Sequence, residues 1–599
     1  MTAQRGTSTW PLLLIAYVAI VAVLIVRVLY HLDATPLLAD TDDAMRMTVV
    51  RDFLNGQNWF DIVQHRLNTP HGAEIHWSRL IDVPIAALVL LFRPVAGAMA
   101  DNWAAFVYPL LLLFVLLVVS VKLCVRLVGP EGVLPAVALP AFSPSIMAEF
   151  TPGRIDHHNV QIILTLVIAW CCVEALKRPR FAIAAGIACA TALAIGTEAV
   201  PCVASAILAF GIAWALRPAH ARLLRGFGLS FAVSALVHMA IALPPSRWLV
   251  PACDALSIVY VAAAIGVALL FGFLSVLPMG RQSCWQRLLV GALAGIFLLA
   301  LLLVLFPNCM GGPYAAVDPW LVHNWLDQVT EARPAWESLI GLPAYTVAAM
   351  LPILGALVVI AWRLWRRTGA DLGEWAVVGL FLLLAVLVAC VQIRGARIAG
   401  IVAVPVGAWL IVTARHHYLA RQRPLQIAGL IGSWLLFAGI AIFTAIASIG
   451  QLIPSGGSAM TGSGALTAGA DPGPCLMPQA FAPLAAMPPA RIMTPIDLGS
   501  HMLLNTAHSV VSAPYHRDQQ GVLDTFRFFN GPIDAARFIL QARGVTMVVT
   551  CPALPEMRGL ADATADSFIR LSAAQALPAW LKDETPPGSP LRIYAVLSR

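Results

Sequence analysis

The sequence predicts a multi-pass α-helical membrane protein with an α/β domain outside the membrane after its last span. Three observations predict this class. Apolar runs of about 20 residues recur over most of the chain, each long enough to cross a roughly 30 Å hydrocarbon core. Clusters of Lys and Arg alternate with less basic loops. Beyond residue 451 the composition turns soluble in character. Hydrophobic residues make up 59% of the 599 and charged residues 12%, and the mean hydropathy is +0.81, outside the range of soluble globular domains.

The first run, residues 10–30, follows a short N-terminus with one basic residue. It is longer than the apolar core of a signal peptide and no small-residue cleavage site follows, so it reads as an uncleaved signal anchor. Later runs fall near 104–127, 132–150, 160–176, 181–200, 202–216, 226–243, 255–278, 288–306, 344–362, 374–392, 398–414 and 426–450, about 13 crossings in all. Six basic clusters mark the inner side: Lys122/Arg126, Lys177/Arg178/Arg180, Arg217/Arg222/Arg225, Arg281/Arg287, Arg363/Arg366/Arg367 and Arg415/Arg421/Arg423. This is the positive-inside pattern. It places the N-terminus in the cytoplasm and the C-terminal domain outside, and it makes the net charge of +7 a report of orientation in a lipid bilayer, not of a nucleic-acid partner.

One further apolar stretch, residues 81–100, carries Arg93, Pro84 and Pro94 and no basic cluster. Counting it as a span would turn every later basic loop outward, so it is expected to lie as a helix in the outer interface. The organisation is therefore a transmembrane domain over 1–450 with large external loops at 31–102 and 307–342, a linker over 451–474 and an external α/β domain over 475–599. In that last domain, residues 508–513, 545–550 and 591–596 read as strands and 532–542 and 573–581 as helices. Residues 44–54 in the first loop read as an amphipathic helix. Most of the 11 cysteines lie inside spans as packing residues, whereas Cys475 and Cys551 could pair in an oxidising compartment.

Candidate chemistry gathers on the outer face. Asp40, Asp42 and Asp43 stand in four residues just after the first span, a concentration of acid that suits a cation; N-capping of the following helix explains one of them but not three. At the outer start of the fourth span comes Gly153-Arg154-Ile155-Asp156-His157-His158-Asn159. Asp156 and His158, two residues apart, can both face a divalent ion, although a histidine at a helix start can equally be a satisfied polar group. The loop 307–342 carries Val329-Thr330-Glu331 followed by Pro334 and Trp336. Arg394 and Arg397 run against the charge rule on the outer side and call for an anionic partner, a phosphate or a carboxylate. Glu198 is isolated, and Tyr515-His516-Arg517-Asp518 suits either an acceptor site or a surface turn.

These segments, in this order, resemble the catalytic subunits of oligosaccharyltransferases, membrane glycosyltransferases of the type C (GT-C) fold with 13 spans and a soluble domain after the last. Asp42 followed nine residues on by Arg51, Asn58-Trp59-Phe60-Asp61, Asp156-His157-His158, Val329-Thr330-Glu331 with Pro334 and Trp336, and Arg397 ahead of Pro405 carry the resemblance over about 400 residues. It implies that Asp42, Asp156 and Glu331 are catalytic and, with His158, hold a divalent cation (Mg or Mn). It implies that Arg397 binds the (pyro)phosphate of a polyprenyl-linked sugar donor, with Arg394, Trp336, Tyr515 and His516 as further substrate-binding candidates.

The chain departs from the family at two places. His158 stands where the family has an acid. The Trp-Trp-Asp-Tyr-Gly motif that reads an Asn-x-Ser/Thr acceptor is represented by Pro495-Ile496-Asp497-Leu498-Gly499, without its aromatic pair, so the acceptor could be a protein, a lipid or a glycan. The expected activity is metal-dependent glycan transfer at the periplasmic face of a bacterial inner membrane. A polyprenyl-monophosphate-sugar transferase and a multi-pass transporter or export component are the alternatives. A transporter would place its ionisable residues near mid-membrane, whereas here they cluster at outer ends and in loops.

Overall fold

The computed structural model describes residues 9–367, 371–452 and 472–597; most of the expected linker lies outside the described residues. Helices occur at each place where the sequence predicts a crossing. Among the described residues ten are long and apolar enough to span a membrane, two further bent pairs would each make one more span, and the shorter apolar helix Arg180–Ile195 stands at the remaining position. The bends have local causes. Residues 130–150 turn by 69° and residues 424–449 by 86°, and the two corners meet: a Cβ on Gly439 would lie 2.9 Å from Pro144 Cδ and 3.0 Å from the Ala348 carbonyl. Only glycine permits that approach.

The expected interfacial stretch is the helix Arg79–Ala96. Ile81, Ile85 and Val89 on one face pack with Ala100, Ala104 and Tyr108 of the next helix. Val83, Leu90, Leu91 and Val95 remain exposed on the other, as a helix lying against lipid would leave them.

The first external loop departs from its expected pattern. The helix Thr41–Leu54 starts three residues earlier than expected, and it is not amphipathic: every residue from Asp43 to Val50 is buried. The reason is that the C-terminal domain covers it. Arg51 Nη1 donates to the Leu504 carbonyl at 2.6 Å, and Arg66 donates to the carbonyls of Leu503 and Thr506 at 2.9 and 2.8 Å. Leu503, Leu504 and Thr506 sit at the end of the helix Ile496–Asn505, whose last carbonyls have no partners within the helix and favour cations. Arg51, the basic residue of the family spacing, therefore serves docking; its other partner is Asp101 at 2.5 Å.

The C-terminal domain is built on a five-stranded mixed sheet in the order Ser509–Val510, Arg491–Met493, Met547–Thr550, Arg592–Val596, Leu581–Asp583. The first three strands run parallel and the last two pair antiparallel. Three strands match expectation, as does the helix Ile533–Arg543. The helix expected over 573–581 does not form as such: a short helix Phe568–Ala573 precedes it, and Leu581–Asp583 is an edge strand. Leu581 buries against this sheet, a tertiary contact that overrides the local helical pattern. Cys475 and Cys551 are joined as a disulfide, and a second disulfide, Cys253–Cys309, links two loops 56 residues apart that no motif pairs.

Candidate active site

Two of the three clustered aspartates have local work. Asp40 is the N-cap of Thr41–Leu54, accepting from Asp42 N at 2.9 Å, and its other oxygen lies 2.7 Å from Arg154. The buried Asp43 carboxylate accepts from the backbone amides of Ile155 and Asp156 at 2.7 and 2.9 Å and from Arg154 at 2.8 Å. Burial pushes the Asp43 carboxyl up to about 7 against the pull of Arg154. The Asp43 bonds stitch the helix to the loop that carries the second motif. Gly153 makes the junction possible: its φ is +97°, and a Cβ there would stand 2.0 Å from the Leu37 carbonyl.

Asp42 differs from both neighbours. Its side chain is half-buried and, among the described residues, belongs to no ion pair. Burial, and then the charges of Asp156 and Asp40, push its carboxyl well above the ordinary carboxylate range, with His158 opposing them. Asp42 is thus the uncompensated acid of the group.

Asp156 anchors the opposite wall. Its Oδ1 receives Arg46 Nη2 at 3.3 Å and lies 2.7 Å from His157 Nδ1. Burial alone would raise this carboxyl, but the cationic surroundings that begin with His157 and His158 hold it well below the usual range. Arg46 is wholly buried, pairs with Asp82 at 3.0 Å and lies 4.2 Å over the Trp77 ring. Oδ2 of Asp156 is buried without a hydrogen-bond partner; His158 Nε2 lies 3.3 Å from it. On the other side of that imidazole, Glu198 Oε2 is 3.1 Å from Nδ1, and Arg397 Nη2 approaches Nε2 at 3.2 Å. Against burial and the Arg397 charge, Glu198 and Asp156 push the His158 imidazole up to about 9, so the ring is held as a cation between two carboxylates.

This donor set fits a divalent cation. Asp156, His157 and His158 bring one ligand atom each within 4.8 Å of the others, and the buried Asp156 Oδ2 makes no hydrogen bond, its ion-pair partner His158 Nε2 standing 3.3 Å away. The uncompensated Asp42 adjoins them. Carboxylate and imidazole together are ordinary first-row ligands.

Behind His158 the arginines open onto a cavity of about 300 Å³ whose lining includes Arg154, Arg394, Arg397, Glu149, Glu331 and Tyr345. Arg397 is buried and paired with Glu149 through Nη1, leaving Nη2 near His158 and 3.9 Å from Glu331. Glu331 is half exposed, 3.8 Å from Arg394. The structure thus brings Asp42, Asp156 and His158 to one place and sets Glu331 on the arginine wall of the cavity. Trp336 is 60% exposed and is not part of that lining.

Tyr515 is buried, its hydroxyl donating to the Thr41 carbonyl at 3.2 Å and lying 3.3 Å from Ser500. His516 contacts Asp254 at 2.7 Å. Glu149 and Arg46 have no place in the sequence reading, and Glu198 and Arg154 stand in it without a role. Arg154 and Glu149 flank the second motif and were within reach of it; Glu198 and Arg46 become significant only through contacts made across the fold.

No protein-family model matches the chain, and no curated protein matches it by sequence. Solved structures do match in fold. The archaeal oligosaccharyltransferase AglB of Archaeoglobus fulgidus, in complex with an inhibitory peptide and a dolichol-phosphate, superposes with a TM-score of 0.63 at 14% identity, covering 97% of this chain and 74% of that one. The A. fulgidus oligosaccharyltransferase tethered to an acceptor peptide containing the NVT sequon gives 0.64 at 14% identity, covering 99% and 74%. Its complex with Zn and sulfate gives 0.60 at 15% identity, covering 98% and 73%. With a mostly helical body, the expected spans and a sheet-containing C-terminal domain, the chain has the GT-C fold of the oligosaccharyltransferases.

Proposed function

We propose that this chain is a glycosyltransferase that moves a glycan from a polyprenyl (pyro)phosphate donor to an acceptor at the outer face of a bacterial inner membrane. The observation that carries the reading is the pairing state of the outer cluster. Asp42 alone has no cation, beside an Asp156–His158 pair with a free buried oxygen and an arginine-walled cavity.

In this reading Arg397 and Arg394 bind the donor phosphate, which charge-assisted hydrogen bonds from planar guanidiniums suit. Asp42, Asp156 and His158, with Glu331 closing from the loop 307–342, would hold Mg or Mn. Such an ion supplies neutralisation of charge on the departing phosphate. Glu198 holds the His158 ring in place, and Asp43 fixes the loop that presents Asp156. Asp42, crowded by acid, is the group placed to accept a hydrogen bond from the incoming acceptor and orient it. The related A. fulgidus structures hold a dolichol-phosphate and a peptide acceptor, which supports a lipid-linked donor.

The acceptor of this chain is proposed to differ from an Asn sequon. Pro495 and Ile496 replace the aromatic pair of that motif while Asp497 keeps its acid, on a helix packed against Thr41–Leu54, and burial and then the Asp40 charge raise the Asp497 carboxyl. An acidic wall suits an amine or a polyhydroxyl acceptor better than an amide.

The test incubates purified protein with polyprenyl monophosphate- and pyrophosphate-linked sugars and with sequon peptide, lipid and glycan acceptors, with and without EDTA. Transfer that needs both the cation and Asp42 is expected. Transfer untouched by EDTA and by Asp42→Ala would overturn the mechanism, and preferred use of the sequon peptide would overturn the acceptor assignment.

A further inference from the structure

A second cluster of metal-ligating side chains lies outside the catalytic group. His76 comes from the first external loop, Asp254 from the loop before the helix Ile258–Val276, and His516 from the C-terminal domain. One ligand atom from each falls within 4.8 Å of the other two. The side chains of His516 and Asp254 are each only 12% exposed, and the His76 and His516 rings stand 4.6 Å apart between centroids. Among the described residues the His76 ring makes no hydrogen bond, so both of its nitrogens are uncommitted.

We infer that His76, Asp254 and His516 form a binding site for a first-row transition ion of the zinc class, distinct from the catalytic cation, which clasps the C-terminal domain to the external loops. Two imidazoles and one carboxylate are a nitrogen-rich set that favours zinc over magnesium, which prefers oxygen ligands.

The neighbours support the carboxylate in that role. Asp254 Oδ1 accepts from Arg517 Nη2 at 2.9 Å and Oδ2 from Arg517 Nε at 2.8 Å, and Arg517 also reaches Glu74 at 3.1 Å. Arg517 thus orients the ligand carboxylate from outside, as outer-shell partners do. The hydrogen bond from His516 to Asp254 Oδ2 is the contact an ion would replace, each atom turning its lone pair to the metal. The disulfide Cys253–Cys309 ties the residue beside Asp254 to the start of the loop 307–342, and the Tyr314 ring of that loop lies 5.2 Å from His516. An ion here would therefore couple the position of the C-terminal domain to the loop that carries Glu331.

Cobalt(II) and zinc(II) titrated into metal-stripped full-length protein in detergent test this site. Uptake of Co²⁺ with visible d–d bands, displaced by Zn²⁺, is expected in wild type and in Asp42→Asn. His76→Ala leaves the Asp254–Arg517 pair intact and is expected to weaken that uptake at least about 10-fold; His516→Gln serves as the second variant, with a circular dichroism check on each. Uptake unchanged in both histidine variants, no uptake in wild type, or loss of the bands in Asp42→Asn would each overturn the inference. The last result would show a single ion at the catalytic group, and transfer activity is not needed to read any of them.

Discussion

The helical bundle buries charge at both ends, and the two clusters are built differently. At one end Arg126 bridges Glu174 at 3.2 Å and Glu374 at 2.7 Å, while Lys177 adds a second cation to Glu374 at 2.9 Å and Arg178 one to Glu174 at 3.6 Å. Glu174 and Glu374 each have two cations. At the other end Asp40, Asp43, Glu149 and Asp156 are each paired with an arginine, yet Asp42 has none; a buried carboxylate oxygen without a hydrogen bond, Glu374 Oε2 or Asp156 Oδ2, occurs in both clusters. A charge network that closes on itself holds helices together. One that leaves an acid uncompensated beside a cavity has room for a cation and a substrate. Burial of charge is common to both; an acid with no cation, Asp42, distinguishes the second.

Breaking each network should therefore have opposite signatures. Glu374→Gln removes a shared acceptor from two cations and is expected to cost about 3 kcal/mol, seen as a lower thermal midpoint with transfer per folded molecule retained. Asp42→Asn should reduce transfer at least about 100-fold, while the thermal midpoint holds or rises because like charges are relieved. A matched loss of stability in both variants would erase the contrast. Next in size, Arg397→Gln should raise the KM for a polyprenyl donor about 10- to 100-fold, the worth of charge-assisted hydrogen bonds, with Arg397→Lys intermediate; an effect confined to kcat would move Arg397 from binding to chemistry.

A smaller effect concerns the acceptor side. Burial and the Asp40 charge raise the Asp497 carboxyl to about 6 from its ordinary 3.8. An acid raised on folding stabilises the fold fully below its unfolded value and loses that contribution as pH rises through the folded one. Thermal stability should accordingly fall by about 1–2 kcal/mol between pH 4 and 7, after screening. Asp497→Asn should flatten that slope; an unchanged slope would place the titration elsewhere.

Legibility in the sequence followed the range of the interaction. Spans and their orientation depend on local hydropathy and on charge at helix ends, so the helical positions, Cys475–Cys551 and the sheet's longer strands could be read directly. Asp42, Asp156 and Arg397 were marked by family spacing. The helix Thr41–Leu54 was misread as amphipathic because its burial comes from a domain more than 400 residues away in the chain. Arg51 marks the family spacing from Asp42, but only its partner, the Leu504 carbonyl, shows that its work is docking. Glu198 had no local signal at all. What makes it matter is the 3.1 Å approach to His158, a contact between the starts of two different spans.

In the proposed function Asp42 is the acid left uncompensated for a cation. Its most direct test is the transfer rate of metal-stripped protein against added Mg²⁺ or Mn²⁺, for wild type and Asp42→Asn at saturating donor. Wild type should recover from near zero with increasing metal while Asp42→Asn stays flat, at or below about 1% of the restored rate. Stripped wild type turning over as fast as the loaded protein, with Asp42→Asn close behind it, would contradict the account.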